Sequence, residues 1–236
     1  MDDKIAALEQ RLKDWSATLQ PLCQASSLGA EDMVLTDVIC RLALPIPVFT
    51  LDTGRLHEAT YRLLDRIYDH YGCRITVVWP NPDAVQRLVH EQGMNGFYDS
   101  VERRRRCCQV RKVEGLERAL SGQRAWMTGL RREQSPERGE VALEATDART
   151  GTLKLSPLAD WSRDDVWAYL DRFSVPYNPL HEQGYVSIGC EPCTRALQPG
   201  EEERAGRWWW ETSGQKECGL HGADHAVGNE EEKVES

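Results

Sequence analysis

The sequence of 236 residues lacks several features that mark common classes of protein. It has no apolar run near the ~20 residues that a membrane-spanning helix needs. Its acidic start, MDDKIAALEQ, lacks the apolar core of a signal peptide. Positively charged residues are also fewer than negatively charged ones. There are 29 Lys and Arg and 38 Asp and Glu, which gives a formal net charge of −9. We therefore expect a cytoplasmic protein that binds neither membranes nor nucleic acid.

The negative charge is unevenly spread along the chain. Residues 223–236 contain five acids and one Lys, and we expect this acidic tail to be disordered. By contrast, the stretch RRRRCCQVRK at 103–112 contains no acid. The average charge therefore argues against nucleic acid but permits a focused site for an anion.

The order of predicted strands and helices indicates the fold class. Strands are predicted at 22–25, 46–51, 74–79 and 124–128, and an extended segment at 141–155. Helices are predicted at 30–44, 56–71, 83–91, 99–120 and 163–173, the last with Ser162 as N-cap. Such alternation predicts a Rossmann-like α/β fold, a parallel twisted sheet flanked by helices. Ligands of these sheets bind at the carboxyl ends of strands, near a topological switch point.

The loop SSLGAED follows the first predicted strand. Ser26, Ser27 and Gly29 at a helix N-terminus suit an anion or a nucleotide, although an ordinary N-cap and turn explains them equally well. The loop lacks the GK[ST] ending of a Walker A motif and differs from the SGGxDS signature of ATP pyrophosphatases. The acids Glu31 and Asp32 argue against a grip on free pyrophosphate, which leaves recognition of adenosine and ribose open.

Four of the eight cysteines form two close pairs, Cys107-Cys108 and the CxxC of Cys190 and Cys193. Four thiolates suit a [4Fe-4S] cluster or a structural zinc ion. Adjacent side chains on a helix diverge by about 100°, which is awkward for one tetrahedral ion but acceptable for a cluster with irons at separate corners. The neighbouring arginines would offset the charge of a cluster. A redox CxxC beside two incidental buried cysteines remains open, as does a solvated or phosphate-binding face for the arginines.

The other cysteines divide into two kinds. Cys23, Cys40 and Cys73 fall in or beside predicted core elements and are expected to be buried, inert thiols. Cys218 lies in QKECGLH near the end of the chain, where Lys216 and His221 favour the thiolate and Glu217 opposes it. Cys218 is therefore a candidate nucleophile.

Two further arginines precede Cys218. Arg204 and Arg207 are three positions apart, so on a helix they would clamp an anion. Three tryptophans at 208–210 follow them and indicate a packing anchor for the C-terminal segment.

Taken together, these motifs resemble those of the assimilatory adenylyl-sulfate (APS) reductases, within the wider phosphoadenylyl-sulfate (PAPS) reductase family. The resemblance covers about residues 20–222, and the combination of CC, CxxC and ECGLH is highly specific. The motifs that carry it are SSLGAEDMVL, FTLDTGRLHEATY, RRCCQVRKVEGL, TGLRREQS, NPLHEQGYVSIGCEPCT, ERAGRWWWE and KECGLH. It implies an adenine nucleotide alpha hydrolase-like fold.

The resemblance also implies roles for individual residues. It implies a [4Fe-4S] cluster on Cys107, Cys108, Cys190 and Cys193, and Cys218 as the nucleophile. It implies a phosphosulfate pocket built from Lys112, Arg204, Arg207 and His221, with either Arg131 or Arg132. The adenosine is expected against Ser26, Ser27 and the strand end from Leu51 to Gly54.

The implied activity is the reduction of APS to sulfite and AMP through an S-sulfocysteine, in assimilatory sulfate reduction and cysteine biosynthesis. Reduced thioredoxin or a similar dithiol is the implied electron donor. A PAPS-reducing or dual activity is the alternative. An iron–sulfur tRNA thiolase would need a pyrophosphate loop, and a cluster-based redox sensor that binds nucleic acid would suit neither the net charge nor the ECGLH motif.

The chain is predicted to divide into four parts: an N-terminal helix over 1–20, the nucleotide-binding reductase domain over 21–200, a catalytic segment over 201–222 and the tail over 223–236. The N-terminal helix has one apolar stripe, formed by Ile5, Leu8, Leu12, Trp15 and Leu19. This stripe would pack on the domain or on another subunit, and a homo-oligomer is predicted on that ground.

Overall fold

The computed structural model describes residues 1–134, residues 141–211 and the backbone of His225–Ala226. Its strands form one sheet with the order β3-β2-β1-β4-β6-β5-β7. The strands are β1 (Leu22–Ser26), β2 (Val48–Leu51), β3 (Thr76–Val78), β4 (Ala125–Met127), β5 (Glu144–Thr146), β6 (Leu153–Leu155) and β7 (His225–Ala226).

The sheet is mixed, although the sequence predicts a parallel one. The strands from β3 through β2, β1 and β4 to β6 are parallel, which confirms the α/β class. The prediction is wrong at one edge, where β5 pairs antiparallel with β6 and with β7. The reason lies in the connection between β5 and β6, a tight turn in which Asp147 N donates to Thr152 O at 2.9 Å. Such a short connection reverses the chain, whereas a parallel pair needs a long crossover.

The tail over 223–236 is predicted to be disordered. The structure places the two-residue strand β7 within it. The strand borders β5 through Ala145 and Thr146. The remaining tail residues lie outside the described part of the chain.

The helices lie close to their predicted positions. They are α1 (Asp2–Thr18), α2 (Ala30–Arg41), α3 (Glu58–Tyr71), α4 (Pro82–Gln92), α5 (Val101–Cys108), α6 (Glu114–Leu120) and α7 (Arg163–Phe173). A π-helical turn over Gln109–Val113 joins α5 to α6, so the helix predicted at 99–120 is one run with a wider turn in its middle. Ser162 is the N-cap of α7 as predicted, and it forms a capping box with Asp165.

The apolar stripe of α1 packs on this chain's own core. Ile5, Leu8, Leu12 and Trp15 are buried in the main hydrophobic cluster, together with residues of β1, α2 and α7. The stripe is therefore used within the domain, and it no longer supports the prediction of a homo-oligomer.

The strand order creates a topological switch point. The chain runs from β1 outward through β2 to β3 and then returns to the other side of β1 as β4. A crevice therefore opens between the loops after β1 and β4, where ligands of such sheets bind. None of the described helices has both the length and the apolar character needed to cross a bilayer.

Candidate active site

A buried carboxylate, Asp32, joins the two loops at the switch point. Its Oδ2 accepts hydrogen bonds from Ser27 N at 2.7 Å and from Ser27 Oγ at 2.6 Å, while its Oδ1 accepts from Gly129 N at 2.7 Å. Gly129 is needed here because an added Cβ would lie 2.6 Å from the Cβ of Glu31. The loops after β1 and β4 therefore meet at van der Waals distance and are joined by one side chain.

The two acids of SSLGAED have partners within the protein. Asp32 accepts hydrogen bonds from backbone N–H groups, and Glu31 Oε1 lies 2.8 Å from the guanidinium of Arg131, so this chain compensates part of their negative charge. Burial raises the pKa of Asp32 to about 6, against the opposing effect of its hydrogen bonds from Ser27 and Gly129. Leu28 has a positive φ of 61° and is 1% exposed, so burial of its side chain holds the loop in an uncommon backbone conformation.

A pocket lined by cations lies at this crevice and is called the anion pocket. Its described charged lining comprises Lys112, Arg131, Arg163, Arg204 and Arg207, against the carboxylates Glu31, Asp32 and Glu203. Positive charge is therefore in excess, as a dianionic ligand requires. Lys112, Arg204 and Arg207, which the sequence singles out, are all brought together here.

The adjacent arginines Arg131 and Arg132 point to different surroundings. Arg131 lines the anion pocket and is buried, with Glu31 on one side and Glu203 at 3.4 Å on the other. Arg132 contacts Asp160 and donates to the carbonyl of Val141 at 2.9 Å, and it does not line the pocket. Of the two, Arg131 is the one placed to reach a ligand.

The arginines from the C-terminal segment stack on one tryptophan. The guanidinium carbons of Arg207 and Arg204 lie 4.8 and 6.0 Å from the ring centroid of Trp208, which is 1% exposed. Arg207 also packs on Gly189, where an added Cβ would lie 2.3 Å from its Nη2. Trp208 is thus the buried anchor of the tryptophan run, whereas Trp209 is 49% exposed.

A second, more apolar pocket adjoins the anion pocket and is called the apolar pocket. Ser26, Leu51, Phe49 and Trp126 are among its lining residues. Ser27 and Lys112 line both pockets, so the two form one continuous crevice. Of the residues expected against adenosine, Ser26, Ser27 and Leu51 line this pocket, whereas the rest of that strand end, residues 52–54, does not.

The four paired cysteines belong to one cluster beside the crevice. Cys107, Cys108, Cys190 and Cys193 pack with Phe97, Trp208 and Trp210. Burial raises the pKa of Cys107, and it raises that of Cys193 to about 12. Arg111 opposes this effect at Cys107, while Arg207 and Lys112 oppose it at Cys193.

The four thiols of this cluster fit a group that is bound by four thiolates. Among residues 1–134 and 141–211, no three Cys, His, Asp or Glu side chains are gathered as a single metal ion requires. The four thiols nevertheless lie in one apolar cluster and have guanidinium and ammonium groups nearby, as an anionic iron–sulfur cluster needs.

The segment that carries the CxxC is docked on the loop after β2. Leu56 and Cys190 form an antiparallel bridge, and Glu191 N donates to Arg55 O at 2.8 Å. Cys190 Sγ also lies 3.2 Å from Thr53 Oγ1. The motif DTGR therefore serves as a docking edge for the second cysteine pair.

One member of the arginine run is structural. Arg104 is buried, and its Nε and Nη2 lie 2.8 and 2.9 Å from the two carboxylate oxygens of Glu211. Its guanidinium carbon also lies 4.6 Å from the ring centroid of Trp208. By contrast, Arg103, Arg105 and Arg106 are exposed, as expected for a solvated helix face.

Some sequence-predicted residues lie outside the described part of the chain, namely Cys218 and His221. Other pocket residues were not predicted: Arg163 at the start of α7, His181 and Glu203. His181 and Glu203 lie inside the motifs NPLHEQGYVSIGCEPCT and ERAGRWWWE, but nothing in these motifs sets them apart as pocket residues, and Arg163 lies in none of the motifs.

These features define an α/β protein of the class that binds its ligand at a topological switch point. Residues 21–196 match the family described as the phosphoadenosine phosphosulfate reductase domain, and the chain belongs to this family.

Curated relatives are similar over most of the chain. The adenosine 5′-phosphosulfate reductase of Allochromatium vinosum is 54% identical over 221 residues, which cover 94% of this chain and 86% of that protein. The protein of the same name from Burkholderia cepacia is 57% identical over 197 residues, which cover 84% of this chain and 79% of that protein.

Solved structures share the fold. The phosphoadenylyl-sulfate reductase of Candida auris, a phosphate complex, has a TM-score of 0.68 at 25% identity and covers 79% of this chain and 90% of that chain. Yeast FAD synthetase, at 12% identity, has a TM-score of 0.57 and covers 82% of this chain and 66% of that chain, which shows the fold alone.

Proposed function

We propose that the chain reduces adenosine 5′-phosphosulfate to sulfite and AMP, with reduced thioredoxin or a similar dithiol as electron donor. The observation that carries this proposal is the continuous crevice of an apolar and an anion pocket that share Ser27 and Lys112. The apolar pocket suits a nucleoside, and the anion pocket suits its phosphosulfate. The two relatives named as reductases of this compound support the choice of substrate. The cytoplasmic location and a role in sulfate assimilation and cysteine biosynthesis belong to the same proposal.

The charge of the apolar pocket favours APS over PAPS. PAPS carries an additional phosphate on its ribose, and a buried phosphate needs cations or N–H donors around it. Among the described residues that line the apolar pocket, Lys112 is the one with a positive charge, and it also lines the anion pocket. A second phosphate on the ribose would therefore find little compensation.

In the proposed reaction, Cys218 acts as the nucleophile. Its thiolate attacks the sulfur of APS, a bond forms between the two sulfurs, and the bond from sulfur to the phosphate oxygen breaks to release AMP. A thiolate of the reduced donor then attacks Cys218 Sγ and displaces sulfite, which leaves with the electron pair. The second thiol of the donor resolves the mixed disulfide and regenerates Cys218. Covalent catalysis thus divides one difficult reduction into easier steps.

The cations of the anion pocket would lower the cost of bringing a thiolate to an anionic substrate. Lys112, Arg204 and Arg207 line this pocket and would neutralise charge on the sulfuryl oxygens and on the departing phosphate. Arg131 is held in position by Glu31 and Glu203, so its guanidinium is oriented before the substrate binds. We assign to His221 a hydrogen bond to substrate, since a thiolate needs no general base.

Cys107, Cys108, Cys190 and Cys193 would hold a [4Fe-4S] cluster. When bound, this group would supply a fixed anionic charge and a link between the two cysteine segments. We propose no electron transfer through it during turnover, and an unchanged oxidation state during sulfite release would support that view.

The assignment is tested by sulfite release from APS in the presence of reduced thioredoxin. Cys218→Ser should release no sulfite and should show no mass increase from a bound SO3 group after incubation with APS. The matched variant Cys23→Ser changes a buried core thiol and should retain turnover. A mass adduct retained in Cys218→Ser would contradict the role of Cys218, and absence of sulfite from the unaltered protein would contradict the proposed activity.

A further inference from the structure

Two cysteines outside the site lie in direct contact. Cys40 is in the last turn of α2, and Cys73 directly follows Gly72, the C-cap of α3. Their Sγ atoms are 2.7 Å apart, although the residues are 33 positions apart in the chain. Both are half-buried, whereas the sequence predicts buried, inert thiols. The expected burial is therefore wrong for this pair, and their contact could not be predicted because it arises only where the two helix ends meet.

A buried network holds the two helix ends in register. Tyr71 of α3 donates to Asp37 Oδ1 at 2.9 Å, and Tyr169 of α7 donates to Asp37 Oδ2 at 2.5 Å. Asp37 lies one helical turn before Cys40, and Tyr71 lies two residues before Cys73. The contact between the sulfurs is therefore supported by polar contacts on both helices and is not a chance approach of two mobile side chains.

We propose that Cys40 and Cys73 form a second redox site, a dithiol that is reversibly oxidised to an intramolecular disulfide. An S–S bond is about 2.05 Å long, so the sulfurs need to approach by well under 1 Å. The oxidant is a low-molecular-weight disulfide such as oxidised glutathione. One thiolate attacks this disulfide and releases one glutathione thiol, and the other cysteine displaces the second. The two cysteine thiols each lose a proton, and together they give up two electrons to oxidised glutathione, which leaves as two molecules of reduced glutathione.

The surroundings make this pair different from a catalytic thiol. Burial raises the pKa of Cys40, and its hydrogen bond with Cys73 and the nearby Asp37 raise it further. Thiol–disulfide exchange proceeds through the thiolate, so oxidation should be slow compared with turnover.

The disulfide would act on stability more than on the reaction. The 12 residues of α2 span about 18 Å, with Ala30 of the anion pocket at one end and Cys40 near the other. The crosslink would close a loop that includes β2 and all of α3, which restricts the unfolded chain. We expect oxidation to raise the melting temperature by roughly 5–15 °C and to change turnover by less than about twofold.

The experiment equilibrates the full-length protein with mixtures of reduced and oxidised glutathione, followed by differential alkylation and mass spectrometry. The expected product links the peptide of residues 67–74 to that of residues 14–41 and is lost in Cys40→Ser and in Cys73→Ser. Since the longer peptide also contains Cys23, the matched control is Cys23→Ser, which should keep both the linkage and the rise in melting temperature.

The proposal is overturned if Cys40 and Cys73 remain fully alkylated in excess oxidised glutathione, or if Cys23→Ser abolishes the link. It is also overturned if each thiol forms only a mixed disulfide with glutathione. These readouts need no substrate, so they stand apart from the test of the proposed reductase activity.

Discussion

The two sides of the anion pocket are built in different ways. The strand side consists of the loops after β1 and β4, which Asp32 joins through backbone N–H groups at 2.7 Å. The C-terminal side consists of residues 187–211, where Arg207 and Trp208 are held by stacking and by the long-range pair of Arg104 and Glu211. Arg131 forms ion pairs with both sides, to Glu31 and to Glu203.

This difference suggests that the two sides of the pocket have different functions. The strand side is part of the sheet, so it presents N–H groups and hydroxyls at fixed positions. The C-terminal side is held by the backbone bridge between Cys190 and Leu56 and by side-chain contacts, and it leads towards Cys218 in sequence. The proposed reaction requires first the substrate and then the donor to reach the thiol of Cys218 from this side.

The largest effect is expected from Glu211→Gln, which tests the anchor of the C-terminal side. The substitution leaves the guanidinium of buried Arg104 without its charged partner, and loss of one member of a buried pair costs about 3–5 kcal/mol. Urea unfolding should show this decrease in stability.

Asp99→Asn is the matched control for the Glu211 variant. Asp99 pairs with Arg103 of the same arginine run, but both side chains are about half exposed, so the expected cost is below about 1 kcal/mol. If the two variants lose equal stability, the pair of Arg104 and Glu211 does not anchor the segment.

Asp32→Asn tests the strand side through pH. The pKa of Asp32 is about 6 in the folded chain, above its ordinary value of 3.8, so the folded state binds the proton more tightly than the unfolded state. Ionisation therefore destabilises the fold as pH rises from about 4 to 6. The advantage in unfolding free energy of the unaltered protein over Asp32→Asn should fall by about 3 kcal/mol across this range.

Parallel stability curves of the two proteins between pH 4 and 6 would contradict the raised pKa of Asp32. A carbon-13 titration of the Asp32 carboxyl provides a direct reading, and a midpoint near 4 would contradict it as well.

The smallest effect is expected at Arg131, which forms ion pairs with both sides of the anion pocket. Arg131→Lys keeps the charge but loses the planar fork that reaches Glu31 and Glu203, so we expect kcat/KM for APS to fall about 10–30-fold. Arg132→Lys, one position away and outside the pocket, should change it less than about twofold. Equal losses in the two variants would show that the pocket does not distinguish these arginines.

Local sequence patterns predicted much of the fold. The apolar periodicity of α1, the compact strands and Ser162 as N-cap depend on neighbouring residues and were confirmed. The antiparallel edge was missed because the direction in which β5 pairs with β6 depends on the short turn between them.

The site was predictable only where a motif marks it. Lys112, Arg204 and Arg207 lie in recognisable motifs, and the structure brings them into one pocket. The roles of Arg104 and Asp32 could not be predicted, because each depends on a partner about 100 residues away in sequence. A charged side chain in an arginine run or in an acidic loop resembles a solvated residue until its partner is known.

The π-helical turn between α5 and α6 lets one helix contribute side chains to two different sites. A π turn contains one residue more than an α-helical turn, which offsets the angular positions of the side chains on its two sides. Cys107 and Cys108 precede this turn and face the thiol cluster, whereas Lys112 within it reaches the crevice. Removing a single residue from 109–113 would restore an unbroken helix and rotate one set by about 100° relative to the other. The length of this helix, counted to the single residue, thus sets the alignment between the thiols of Cys107 and Cys108 and the ammonium group of Lys112.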